Sequence, residues 1–83
     1  MSTGTDSPVV DWDYDHEQDV LYLDIGDPMP SLVEEVPGVE GMHIRRAIAD
    51  RRITGAAILW FSRQDVTALA RHLPFSFDFG SVR

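Results

Sequence analysis

The chain has 83 residues and no cysteine, so a single domain without disulfides or thiolate metal sites is expected. Its fourteen acidic residues outnumber seven arginines, there is no lysine, and the formal net charge is −7. Because phosphates repel such a surface, the composition argues against nucleic-acid and membrane partners and favours a small basic protein. No apolar run approaches the roughly 20 residues of a membrane span, and the N-terminus lacks a signal-peptide pattern, which predicts a cytoplasmic protein.

Alternating apolar and acidic residues predict a β-hairpin after a polar lead-in. Residues 1–8 are small and polar and are predicted to be disordered, which leaves residues 9–83 as the single domain. Trp12 and Tyr14 then alternate with aspartates, as in a strand with one apolar and one wet face. A polar break and the apolar run at 20–25 predict the antiparallel partner strand.

Three further strands are predicted before the helix. A turn with two prolines leads to a short edge strand at 32–36, since proline has no N–H to donate to a ladder. A fourth strand at 42–48 turns Arg46 inward unless a β-bulge at Arg45-Arg46 relieves it. The most apolar run, 53–60, is predicted as the central strand, and its Gly-Ala-Ala stretch indicates that something packs closely over it.

The C-terminal third predicts one helix and an alternating tail. Ser62 is the predicted helix cap, with Asp65 reaching back to it, while Leu69 faces the core and Pro74 ends the helix. The tail at 75–79 is either a sixth short strand or an extended segment laid on the sheet. Together these elements predict an α+β fold, an antiparallel β-meander of four to six strands with one C-terminal α-helix packed on the sheet.

Two segments of the chain resemble the DUF2283 family of small bacterial proteins, and the resemblance covers roughly residues 12–62. The segments are Tyr14-Asp15 followed by Asp19-Val20-Leu21-Tyr22-Leu23, and the run from Asp50 to Leu59. The chain departs from the family pattern at Ala57, where glutamate is usual, and at Arg45-Arg46, where acidic residues are common. The resemblance implies an antiparallel sheet with a helix and no assigned activity. Some members are encoded beside small toxin-like proteins, which implies an acidic binding partner for a basic toxin.

The first hairpin carries the strongest candidate contact surface, a row of acidic side chains. Its members are Asp11, Asp13, Asp15, Glu17 and Asp19. A calcium-binding loop does not fit, because His16 stands at the glycine position and Tyr22 at the final glutamate position. The row is either a solvated strand face, with Asp15 and Asp19 capping the turn, or an acidic face for a partner.

No pattern predicts catalysis, a cofactor or a resident metal. The chain has no nucleophilic cysteine, no serine in a nucleophile elbow and no glycine-rich phosphate loop. His16, His43 and His72 lie too far apart in the sequence for a local zinc site. We therefore expect no enzyme, no cofactor and no catalytic or metal-ligating residues.

The aromatic residues near the C-terminus predict an interface. The candidates are Trp60, Phe61, Phe75, Phe77 and Phe79. A sheet covered by one short helix leaves apolar surface open, and a small chain without disulfides gains stability from self-association. A homodimer is predicted on these grounds, and the alternative is that the tail folds back to complete its own core.

Two functions follow from these observations. The first is a non-enzymatic protein-interaction module, which on the family resemblance is antitoxin-like and binds a small basic partner. The alternative is a metal- or small-ligand-binding domain that uses the acidic hairpin at 11–19.

Overall fold

A computed structural model describes residues 10–82 of the chain. Within them lie the strands β1 (Val10–Asp15), β2 (Val20–Ile25), β3 (Ser31–Glu35), β4 (Met42–Ala47) and β5 (Ile53–Leu59). Helix α1 spans Val66–His72, and 3₁₀ turns span Phe61–Arg63 and Phe79–Ser81. The disordered lead-in predicted at 1–8 lies outside the described residues.

The strands form one five-stranded antiparallel sheet in the order β1-β2-β5-β4-β3. The predicted α+β fold, an antiparallel sheet followed by one C-terminal helix, is confirmed. One connection departs from a strict meander, because the chain between β2 and β3 crosses to the opposite edge. The most apolar strand, β5, thereby takes the centre, where both of its neighbours shield it, and β3 lies at an edge as predicted.

The core lies on one side of the sheet. Alternate residues of the three inner strands are buried there: Leu21, Leu23, Met42, Ile44, Ala56 and Ile58. The segment after β5 covers them with Phe61, Leu69, Leu73 and Phe79, which we call the covering layer. Burying each large apolar side chain contributes about 1.5–3 kcal/mol, so the contact between the sheet and this layer supplies most of the hydrophobic stabilisation.

The tail is an extended segment that ends in a 3₁₀ turn, and a sixth strand does not form within the described residues. Phe79 is buried, with its ring centroid 6.0 Å from Phe61 and 5.1 Å from Phe77. The carboxylate of Asp78 accepts the N–H of Gly80 at 2.9 Å and so begins the turn. The chain therefore uses its own tail to complete its core.

Helix α1 begins later than the sequence predicts. Asp65 is the N-cap, and its carboxylate accepts the N–H of Thr67 at 3.0 Å. The prediction that Ser62 caps the helix is wrong, because Ser62 lies in a 3₁₀ turn and donates its hydroxyl to Asp19. The helix ends before Pro74, as predicted.

A β-bulge lies at the predicted position. Arg45 pairs with Gly55 but Arg46 pairs with Ile53, so Thr54 is the additional residue of β5. The prediction of a bulge at the arginine pair is confirmed. The side chain of Arg46 is 40% exposed and its Nε donates to Oε1 of Glu34 at 2.5 Å, so the sheet contains this arginine without burying an unpaired charge.

The side chain of Arg45 crosses the central strand on the side of the sheet opposite the core. Its Nη2 donates to the carbonyl oxygen of Leu23 at 2.6 Å and to Oδ1 of Asp24 at 2.5 Å. Gly55 lies beneath the guanidinium, and a Cβ at that position would collide with it and with the Leu23 carbonyl oxygen. The close packing predicted from the small residues of β5 is therefore confirmed, and its cause is this arginine.

Replacement of Gly55 by alanine is expected to lower the free energy of unfolding by about 1–3 kcal/mol, the usual cost of overpacking. Chemical denaturation of the wild type and the variant at neutral pH measures this difference. Gly26→Asn is the matched control, because Gly26 has a φ of 68°, which asparagine tolerates, and no atom lies within 4 Å of an added Cβ. Equal stabilities of Gly55→Ala and the wild type would contradict the close approach of Arg45.

Candidate functional site

The side of the sheet opposite the core consists of two rows of residues that cross all five strands. The first row is Asp11, Asp24, Gly55, Arg45 and Val33, and the second is Asp13, Tyr22, Ala57, His43 and Glu35. We call these two rows the open face. Strand alternation points them away from the buried core residues, and all except Gly55 are exposed or partly exposed.

The open face is acidic. It carries four carboxylates and one arginine guanidinium. Arg45 is already paired with Asp24 at 2.5 Å, whereas Asp11 and Asp13 have no salt-bridge partner among residues 10–82. Tyr22 is exposed in the row that contains Asp13. The face therefore presents unpaired negative charge beside an exposed aromatic ring.

The acidic row predicted in the first hairpin divides into three parts. Asp11 and Asp13 are exposed on the open face. Asp15 caps the hairpin turn, because its Oδ1 accepts two backbone N–H groups of the turn at 3.0 Å, one of them from Glu17. Asp19 points toward the end of β5 instead. Of the predicted acidic contact residues, Asp11 and Asp13 thus share the sheet surface, while Glu17 is exposed in the turn.

Asp19 joins the hairpin turn to the start of the covering layer. Its carboxylate accepts the hydroxyl of Ser62 at 2.6 Å, the N–H of Ser62 at 2.9 Å and the hydroxyl of Tyr14 at 2.5 Å. Its carbonyl oxygen accepts the N–H of Phe61 at 3.0 Å. The φ of 57° at Asp19 is a left-handed conformation in which aspartate is enriched. Its predicted role as a turn cap is wrong, because these distant donors occupy its carboxylate.

These donors change the acidity of Asp19. The hydroxyl of Ser62 is the main cause that lowers the pKa of Asp19 below its ordinary value, followed by the hydroxyl of Tyr14 and the N–H of Ser62. Hydrogen bonds to a carboxylate stabilise its ionised form. Because its lowered pKa makes the Asp19 carboxylate a weaker base toward the Ser62 hydroxyl, the arrangement serves as a structural junction between the hairpin turn and the covering layer.

The geometry provides no ligand cluster for the metal-binding alternative. Within residues 10–82, no group of three or more histidine, aspartate or glutamate side chains is placed to hold a metal ion. His16 packs edge-on against Tyr14 with ring centroids 4.4 Å apart, and Nδ1 of His72 lies 3.0 Å from the carbonyl oxygen of Ala68. His43 lies on the open face, so the three histidines belong to three separate environments.

The aromatic residues predicted to form an interface differ in how deeply the structure buries them. Phe61 and Phe79 are buried in the core of their own chain, and Phe75 and Phe77 are partly buried against it. Trp60 is the most exposed of the five, at 47%. Most of the aromatic surface that the sequence assigned to an interface therefore contributes to the fold of one chain.

Sequence reasoning did not bring Val33, His43 and Glu35 into one surface with the first hairpin. The alternation in β2 places Tyr22 and Asp24 on one face, as the pattern indicated. The strand order that aligns them with β4 and β3 depends on the crossover between β2 and β3, for which the sequence carries no signal.

No protein-family model, curated protein or solved structure matches this chain. The resemblance to the DUF2283 family therefore stays a prediction. In the part of the chain that the structure describes, helices are too short or too polar to cross a membrane.

The Asp19 junction makes stability depend on pH. Because the pKa of Asp19 is lower in the folded than in the unfolded chain, its ionised form stabilises the fold above the unfolded-state pKa. This contribution is lost as the pH falls through the folded-state pKa. We expect Asp19→Asn to lower the melting temperature at neutral pH, and the difference from the wild type to narrow below about pH 4.

Thermal unfolding followed by circular dichroism across a pH series tests this expectation. Asp13→Asn is the matched control, since it removes a carboxylate of the same hairpin outside the junction. If the two variants lower the melting temperature equally at neutral pH, the junction has no special role.

Proposed function

We propose that this domain is a non-enzymatic protein-binding module whose open face binds a small basic protein. The observation that carries the proposal is the pair of residue rows across the five strands, which present unpaired carboxylates on a sheet surface that no element within residues 10–82 covers. Such a face, with an excess of negative charge, is suited to electrostatic recognition.

Charge supports the choice of a basic partner. With a net charge of −7, the whole chain attracts cations over a longer range than any single side chain does. Asp11 and Asp13 lie at the outer strand of the open face, and Arg45 is occupied by Asp24, so little positive charge offsets them locally. Lysine and arginine side chains of a partner would find acceptors there without displacing an existing ion pair.

Tyr22 provides the apolar component that a stable contact needs. Its ring is 40% exposed in the inner strand β2, next to Asp13 in β1 and Ala57 in β5. Tyrosine is enriched among the residues that dominate binding energy, because its ring buries a large area and its hydroxyl forms hydrogen bonds. A guanidinium of the partner can also stack on such a ring.

The family resemblance gives this proposal a biological form. If the chain shares the DUF2283 pattern, its partner is a small toxin-like protein, and the domain is antitoxin-like. Two residues of the resembling motif, Tyr14 and Asp19, form the junction with Ser62. Their structural role leaves the open face available for contacts.

Asp13→Lys is expected to weaken binding of a Lys- and Arg-rich peptide by roughly tenfold, which corresponds to about 1.4 kcal/mol. Glu40→Lys is the matched control, because Glu40 is exposed in the turn before β4 and its substitution changes the net charge by the same amount as Asp13→Lys. Tyr22→Ser should weaken binding at low and at high salt, since burial of the aromatic ring depends little on ionic strength.

NMR titration of the labelled full-length chain with this peptide, repeated over a salt series, measures both affinity and location. We expect amide shifts in β1, β2 and β5 and an affinity that falls with salt. Equal affinities of the Asp13→Lys and Glu40→Lys variants, or shifts confined to the helix side of the sheet, would contradict the proposal.

A further inference from the structure

The edge strand β3 carries the most exposed large apolar side chains of the described chain. Leu32 is 65% exposed and Val33 is 62% exposed, and they are adjacent in the strand. Ile48, which follows the neighbouring strand β4, is 60% exposed. An edge strand with exposed apolar residues is a template for pairing with another strand. The opposite edge, β1, differs because its exposed positions are mainly aspartates.

The register of β3 shows which of its backbone groups are free. The N–H of Ile48 donates to the carbonyl oxygen of Pro30 at 3.1 Å, and the N–H of Val36 donates to that of Met42 at 3.0 Å. Even-numbered residues of β3 therefore direct their backbone groups toward β4, since hydrogen-bonded pairs alternate along an antiparallel ladder. The odd-numbered residues direct theirs outward: Ser31, Val33 and Glu35.

From this pattern we infer that two copies of the chain pair through β3, antiparallel, about a two-fold axis at Val33. In that register Val33 faces its own counterpart, and Ser31 faces Glu35 of the second copy. The outward backbone groups of the three residues then exchange about six hydrogen bonds. The two sheets become one continuous sheet, and the contact closes on itself because a two-fold interface uses the same surface twice.

Charge favours this register over the alternatives. Each Glu34 faces Leu32 of the second copy, so that no two glutamates are directly opposite. Within each chain Arg46 donates to Glu34 at 2.5 Å, so the charge of that glutamate is already offset where it lies beside the second copy. A shift of the axis to Glu34 would set two carboxylates face to face, a destabilising pair. If β3 paired with the β1 edge of another copy, the glutamates of β3 would lie opposite the aspartates of β1, and these like charges would repel.

The prolines on either side of β3 limit the pairing to a short segment. Pro30 precedes the strand and Pro37 follows it by two residues, and neither can donate an N–H. The contact therefore joins two copies along five residues and does not extend further along the chain. This inference does not rest on the proposed function, because it uses the opposite edge of the sheet from Asp11 and Asp13.

Because the chain contains no cysteine, a cysteine introduced by substitution is its only thiol, and disulfide cross-linking then reports on that position alone. In full-length Val33→Cys, the two sulfurs sit in a hydrogen-bonded pair with Cα atoms about 5.5 Å apart, within the range of a disulfide. We expect mild oxidation to convert most of the protein into a covalent dimer. Leu32→Cys is the matched control, because its two Cα atoms lie diagonally, beyond the roughly 7 Å that a disulfide spans.

Light scattering after gel filtration provides the second measurement. The wild type is expected at about twice the mass of one chain, and Val33→Lys at the mass of one chain, because two cations then meet at the axis. Circular dichroism should show an unchanged fold in Val33→Lys, since that side chain is exposed. The inference is overturned if the wild type has the mass of one chain at all concentrations. It is also overturned if Val33→Cys forms no covalent dimer on oxidation, or if Leu32→Cys forms more covalent dimer than Val33→Cys.

Discussion

The junction between Asp19 and Ser62 holds the covering layer in place over the sheet. Chain direction changes at Trp60, whose φ of 53° ends β5, and the next residue, Phe61, is the first to turn back over the core. The carbonyl oxygen and carboxylate of Asp19 take up the N–H groups of Phe61 and Ser62, which the end of the strand leaves without ladder partners. Because the helix and the tail both follow this point, the burial of Leu69 and Phe79 depends on how the chain leaves β5.

A single covering layer makes the sheet asymmetric. One face is buried mainly under residues that follow β5 in the sequence, and the other face carries polar contacts between its strands. Arg45 makes the most extended of these, since it spans β5 over Gly55 to reach β2. This contact joins the two hairpins on the side of the sheet opposite the covering layer. The same asymmetry explains why the open face can carry unpaired carboxylates: within residues 10–82 no element packs against Asp11 and Asp13 and desolvates them.

Period-two alternation predicted the strands and the fold class well, because each strand has one buried and one solvated face. It also placed the bulge, since Arg46 broke the pattern in an otherwise regular strand. It failed where contacts between distant segments of the chain determine the local structure. Ser62 and Asp65 are both good cap residues, three positions apart. The hydroxyl of Ser62 is bonded to the distant Asp19, and Asp65 caps the helix. The aromatic tail was ambiguous for the same reason: its alternation fits an interface as well as a core.

The acidic β1 end of the open face and the β3 edge proposed for pairing lie at opposite edges of the sheet, and this separation has a consequence for assembly. Pairing through β3 would place the two acidic β1 strands at the far ends of one continuous sheet, where their mutual repulsion is smallest. Their aspartates would discourage a further copy from adding at those ends, and the proposed assembly would then stop at two chains. Each end would remain free for its own basic partner. An uneven distribution of charge along the sheet would then set both the number of copies and the side on which a partner binds.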